Sequence, residues 1–190
     1  WDFRGRVNAV THDSLVKAKQ AGLRQISFGV ETGSDEGLQL LRKGTKIKQV
    51  RNAFEWCREL GIRAVADYML GLPFEKTKQD VYDNLDFLIS LDPDFAQFSI
   101  LSLYPNTQVF DQAVEKGMID PDRWRNFSLN PYKNMTVDHW TQYMSVEDLS
   151  DLHRECYRRF YLRPKFVLRS VMETRSLQEF KVKAFGLRKL

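Results

Sequence analysis

Residues 26–34 read ISFGVETGS. A short apolar run, Ile26 to Val30, ends at a glutamate that stands between Gly29 and Gly33. Runs of this length, rich in β-branched and aromatic residues and closed by glycine, read as strands buried on both faces. The carboxylate at the tip has two readings. It is either a solvated acid in a turn, or a charge placed where backbone and ligand meet closely.

The flanking segments give the tip a setting. Before it, an extended piece over Arg4–Val10 leads to a helix over Asp13–Ala21, with Thr11 or Asp13 to cap it and Gly22 to stop it. Residue 24 opens the strand that Val30 closes. After the tip come a short helical stretch, Ser34–Leu41, and a helix over Lys46–Leu60 with Ile47, Val50, Phe54, Cys57 and Leu60 on one side. Ile62–Leu70 is the next strand, Lys78–Leu91 the next helix, Phe95–Tyr104 a third buried strand, and Thr107–Lys116 a further helix. Strand and helix alternate, the strands are almost wholly apolar, and no two-residue hairpin joins them. That pattern implies parallel strands with helical crossovers, an α/β layer or part of a TIM-like (βα) barrel. Ligands in such folds sit beyond the carboxyl ends of the strands. Those ends read VETGS, MLGLPFE and SLYPNT, each with a glycine or proline, so Glu31 is expected on the binding face.

This organisation divides the chain into residues 1–117, the strand–helix series, and 118–190. In the second part, 118–143 is polar with aromatic anchors and reads as an irregular segment packed on the domain. Ser145 then opens a helix to about Tyr161, and one or two basic amphipathic helices complete a helical extension.

Composition excludes several classes. No apolar run approaches the roughly 18 residues of a membrane span, and no signal-peptide pattern opens the chain, so a cytoplasmic location is the default. The chain begins at Trp1, which points to a piece of a longer protein. The net charge of +4 argues only weakly for an anionic partner. Its excess lies in the tail, from Arg154 through Arg158, Arg159, Arg163, Lys165, Arg169, Arg175, Lys181, Lys183, Arg188 and Lys189. The two cysteines, Cys57 and Cys156, have no CxxC companion and read as small buried hydrophobes.

Each strand-end motif alone is an ordinary loop exit. Taken in order, they are distinctive. ISFGVETGSDEGLQLLRKGT, then ELGI, DYMLGLPFE and DFAQFSILSLYPNT, preceded by WDFRGRVN, resemble the second half of the radical S-adenosylmethionine (SAM) barrel. The branch they are most similar to often carries an upstream cobalamin-binding domain, and LSDLHRECYRRFYLRP resembles its C-terminal extension. The resemblance implies a parent enzyme that reductively cleaves SAM with a four-iron four-sulfur cluster, and cobalamin in a separate domain. It implies that Glu31 faces the methionine or ribose, that Lys43 pairs with the methionyl carboxylate, and that Asp67 contacts the ribose. Met69, Leu70, Gly71 and Leu72 would supply backbone around the adenine, with Leu101 or Ser102 adding contacts. Arg6 and Asn8 would point inward from the first strand of this chain. Without the resemblance, Lys43 is equally a solvated lysine and Asp67 an exposed acid at a strand edge.

One departure is large. The CxxxCxxC loop that ligates the family's cluster is absent, so the chain is expected to be inert alone and to need the other half of the barrel as its partner. The unpaired edge of its first strand is then a route to dimerisation. A competing reading assigns the CYRRFYLRPKF stretch to RNA, through arginines and stacking rings, or the last helices to an anionic membrane surface. The substrate is not legible.

Overall fold

The fold is taken from a computed structural model that describes residues 1–174 and 176–188. Arg175 and Lys189 of the basic tail lie outside them. Four strands, β1 (Asp2–Gly5), β2 (Gln25–Gly29), β3 (Arg63–Leu70) and β4 (Phe95–Ile100), form one sheet in chain order, with every neighbouring pair parallel. The crossovers are helical: α1 (His12–Gln20), then α2 (Asp35–Leu40) with α3 (Ile47–Glu59), then α4 (Lys78–Ser90). Helices α5 (Gln108–Glu115), α6 (Arg123–Leu129), α7 (Val146–Tyr161), α8 (Pro164–Met172) and α9 (Leu177–Arg188) follow. Side-chain caps start most of them where the sequence offers a hydroxyl. Thr11, Thr77, Thr107 and Ser145 each accept a hydrogen bond from a backbone N–H in the first turn.

Two strands are shorter than their sequence patterns. The extended start expected over Arg4–Val10 is paired only as Asp2–Gly5, and Val7–Ala9 is a turn of 3-10 helix that buries Val7. The strand expected to reach Tyr104 stops at Ile100, because β3 ends opposite it at Leu70. The Leu101 N–H still reaches the Leu70 carbonyl at 2.9 Å, whereas Ser102 turns to an antiparallel bridge with His139. Within 118–143 the structure adds one short helix, α6. Ile119 and Trp140 from this segment pack with Leu103, Phe110 and Ala113 in a second small core.

Alternation along the strands gives the sheet two different faces. Ile26, Phe28, Ala66, Tyr68, Leu70 and Phe98 point toward the helices and are buried in the main core. Arg4, Ser27, Asp67, Gln97 and Ser99 point the other way. Arg4 donates from Nη2 to Gln97 Oε1 at 3.3 Å, although three strand spacings, about 14 Å, separate β1 from β4. Such a reach requires the sheet to curl toward this face, which is the inner wall of a partial barrel.

The extension packs on the outer edge of that wall. His153, Tyr157 and Tyr161, spaced four apart on α7, lie along β4. The Tyr161 hydroxyl donates to the Ala96 carbonyl at 2.7 Å and accepts from the Ala96 N–H at 3.2 Å. Tyr157 does the same at Phe98, at 3.4 and 3.3 Å, and His153 Nε2 lies 3.0 Å from the Phe98 carbonyl. Among the described residues, no helix is long and apolar enough to cross a membrane.

Candidate functional site

The tip of β2 answers the question raised by ISFGVETGS. The Val30 N–H donates to the Asp67 carbonyl at 2.9 Å, the last rung before the chain leaves the sheet. Glu31 then takes a φ of 62°, uncommon for a residue with a side chain. Its carboxylate folds back over the strand end and accepts from Lys43 Nζ at 2.6 Å. A Cβ on Gly29 would lie 2.8 Å from Glu31 Oε1 and 3.4 Å from Lys43 Nζ, so a side chain there would make the tips of the ion pair shift. Gly33 serves a different contact. A Cβ on it would lie 2.6 Å from Cβ of Phe87, against which the loop packs on α4.

Lys43 is held from below. Its N–H donates to the Leu38 carbonyl, closing the turn after α2. Arg6 donates to the Lys43 carbonyl and Asn8 to that of Gly44 at 3.1 Å. Arg6 and Asn8 therefore do not project inward from a strand. They stand just past β1 and brace the loop that carries Lys43, because the ladder has already ended at Gly5.

The loop after β3 is built on a buried acid. Glu75, 1% exposed, accepts from the Gly71 and Leu72 N–H groups at 2.8 and 3.0 Å. Those two donors are thus turned inward, and the side chains of Met69 and Leu72 are what the loop shows to the cleft. Leu70 faces the helices and is fully buried.

Deeper on the inner wall, Asp67 Oδ1 is buried and has no hydrogen-bond partner among the described residues. Burial, the main cause, raises the Asp67 carboxyl above its ordinary value. Glu31 adds to the rise, while Arg4 and Lys43 oppose it. Asp67 thus senses Glu31, Lys43 and Arg4 electrostatically.

Beyond the strand ends is an open cleft of about 640 Å³. Glu31 and Lys43 line one side, Met69 and Leu72 the middle, and Leu101 and Val109 the other. The structure brings Glu31, Lys43, Met69, Leu72 and Leu101 together. Asp67, Leu70, Gly71 and Ser102 do not line the cleft. It offers a donor and an acceptor side by side, with the apolar Met69, Leu72 and Leu101 on one part of the wall and Arg42, Gln39 and Gln112 among its polar groups, a setting for a zwitterionic group joined to a flat apolar one.

The cysteines supply no cluster. Cys57 lies in α3 and Cys156 in α7, both buried, with thiols that burial pushes up to about 12. Among the described residues no group of three metal-ligating side chains is present. The Glu75 carboxylate and its partner Asn84 escaped the sequence reading. A glutamate after LPF in a loop gives no signal of burial by itself.

The profile of the Radical SAM superfamily matches residues 3–88, from β1 to the end of α4. Over those residues, just under half of the chain, the sequence is similar to the radical SAM superfamily. Among solved structures, the chain superposes on coproporphyrinogen III oxidase HemN of Escherichia coli with a TM-score of 0.58, at 17% identity, over 85% of this chain and 31% of that one. The methyltransferase TsrM of Kitasatospora setae, solved with cobalamin and a [4Fe-4S] cluster, gives 0.54 at 23% identity, over 60% of this chain and 23% of that one. These likenesses establish the barrel-type fold. In sequence, the chain is 29% identical over 174 residues to the uncharacterized methyltransferase PH0819 of Pyrococcus horikoshii, covering 91% of this chain and 36% of that protein. The chain thus spans about a third of that relative's length.

Proposed function

We propose that this chain is the part of a radical SAM enzyme that holds SAM, within a parent protein that cleaves it reductively. The observation that carries the proposal is the Glu31–Lys43 pair at the mouth of an apolar cleft formed by three consecutive strand ends. Lys43 has three N–H donors and spends one on Glu31. The others are available to a carboxylate, and Glu31 Oε2 can accept from an ammonium. The amino-acid end of SAM carries both groups. Met69, Leu72 and Leu101 would then flank the adenine through apolar contact, with the N–H groups of Gly71 and Leu72 reserved for Glu75.

The cluster supplies the electron when bound, and its thiolate ligands are not in this chain. The fit is therefore to SAM alone, and this chain's residues bind and orient it. Cobalamin belongs to the same proposal through the printed description of TsrM, and methyl transfer through those of TsrM and PH0819. The RNA reading draws less support. Phe160 is buried, and Tyr157 and Tyr161 direct their hydroxyls to β4. Arg159 stacks 3.8 Å above the Tyr82 ring and pairs with Glu155, so these groups are committed to packing.

Titration calorimetry with SAM tests the proposal. Glu31→Ala is expected to weaken binding about tenfold or more, the effect of removing a charge-assisted hydrogen bond. Equal affinity of parent and variant would overturn the assignment of the pair.

A further inference from the structure

The loops after β2 and β3 are joined to each other through α4, none of whose residues lines the cleft. Glu75 accepts on Oε2 from Gly71 and Leu72 and on Oε1 from the Tyr68 hydroxyl at 3.1 Å and Asn84 Nδ2 at 2.9 Å. Asn84, on α4, uses its other end on the β2 loop. Its Oδ1 accepts from the Gly33 N–H at 2.7 Å and from the Thr32 hydroxyl at 3.0 Å. The amide can sit only one way round. A backbone N–H donates and never accepts, so Oδ1 must face Gly33 and Nδ2 must face Glu75.

We propose that Glu75 and Asn84 form a relay that sets the two loops in one geometry, making both of them positioning residues of the cleft. Thr32, 1% exposed, is pinned from behind by Asn84, while Val30 on the other side is pinned to Asp67. Glu31 lies between those two points with φ at 62°, so the direction of its carboxylate follows from them. The same relay fixes Leu72 through its N–H. Neither Glu75 nor Asn84 lines the cleft. A buried carboxylate inside an apolar core is costly unless every oxygen is satisfied, and here four donors converge on it. No neutral side chain offers two acceptors at that point, and a hydrophobic one would strand both loop N–H groups. Insofar as the cleft holds SAM, the inference rests on the function proposed above. As a statement about the two loops it does not.

The test is amide hydrogen exchange followed by NMR, with calorimetry alongside, on the chain and two variants. Asn84→Ala keeps a good helix former on α4 and is expected to speed exchange at Gly33 by about tenfold. Amides within β3 should keep their protection. Glu75→Gln keeps Gly71 and Leu72 paired when its carbonyl oxygen faces them, and its NH2 group then meets Asn84 Nδ2, so Asn84 must turn over. Exchange should then rise at Gly33, while Gly71 and Leu72 keep their protection. If that variant does not fold, Asn84→Ala decides alone. Unchanged exchange at Gly33, or acceleration spread evenly through the sheet, would overturn the relay. S-adenosylhomocysteine, an unreactive probe, should bind Asn84→Ala about tenfold more weakly than the parent. Binding that the variant leaves intact, with Gly33 opened, would refute the positioning role. A parent that binds no probe while the exchange pattern holds would sink the SAM reading and leave the relay standing.

Discussion

The two edges of the sheet end in opposite ways. At β4 the outward N–H and C=O groups of Ala96 and Phe98 meet Tyr161, Tyr157 and His153 of α7. At β1 no strand among the described residues adjoins Asp2–Gly5 on its outer side, and Phe3 is 37% exposed. An unpaired edge normally invites another strand. Here one edge is closed by side chains of the chain's own extension, and the other keeps the geometry into which a further parallel strand would fit. The difference shows how a partial barrel can stop growing at one side only. Hydroxyls that both donate and accept can replace a whole neighbouring strand, provided that a helix spaces them to match alternate residues.

The largest effect should come from breaking the closed edge. Tyr157→Phe combined with Tyr161→Phe keeps the rings packed but strands the β4 backbone groups, at a cost of about 2–4 kcal/mol in urea denaturation. A loss within error of zero would mean that water takes over the edge at no cost.

A smaller effect lies between the edges, where Arg4 from β1 reaches Gln97 on β4 and Asp67 stands on β3, one of the two strands between. The folded Asp67 carboxyl holds its proton more tightly than an ordinary aspartate of value 3.8. Its ionisation therefore opposes folding. The cost is absent below 3.8 and complete once the pH passes the raised folded value. Asp67→Asn should stabilise the chain at pH 7, by on the order of 1 kcal/mol or less after solvent screening. That advantage should disappear as the pH falls through the carboxylate range. An advantage that persisted in acid would assign the effect to packing.

The smallest effect is expected at the open edge. Phe3→Lys should change stability by no more than about 0.5 kcal/mol, yet it should reduce any concentration-dependent association in sedimentation velocity. Association that survives the charge would place the contact elsewhere.

Much of the framework was legible from residue order. The alternation of apolar strands with capped helices implied a parallel sheet, and glycine and proline at VETGS, MLGLPFE and SLYPNT marked the strand ends that line the cleft. Glu31, Lys43, Met69, Leu72 and Leu101 do meet in one cleft. Strand lengths were less legible, because a strand ends where its neighbour does. Ile100 stops opposite Leu70, although the apolar run continues to Leu103. Arg6 and Asn8 were misread for the same reason, since the ladder closes before them at Gly5.

By itself the sequence determined the class of fold, the polarity of the strands and the end of the sheet at which the cleft opens, since these follow from the period of apolar residues and from where turns must fall. Only the tertiary structure decided which polar groups are spent on the protein itself. Glu75 takes the N–H groups of Gly71 and Leu72, Lys43 is claimed by Glu31, and the tyrosines of α7 close β4. Each of these pairings joins segments brought together by folding, and hydrogen-bond partners are chosen by distance in space, which residue order does not encode.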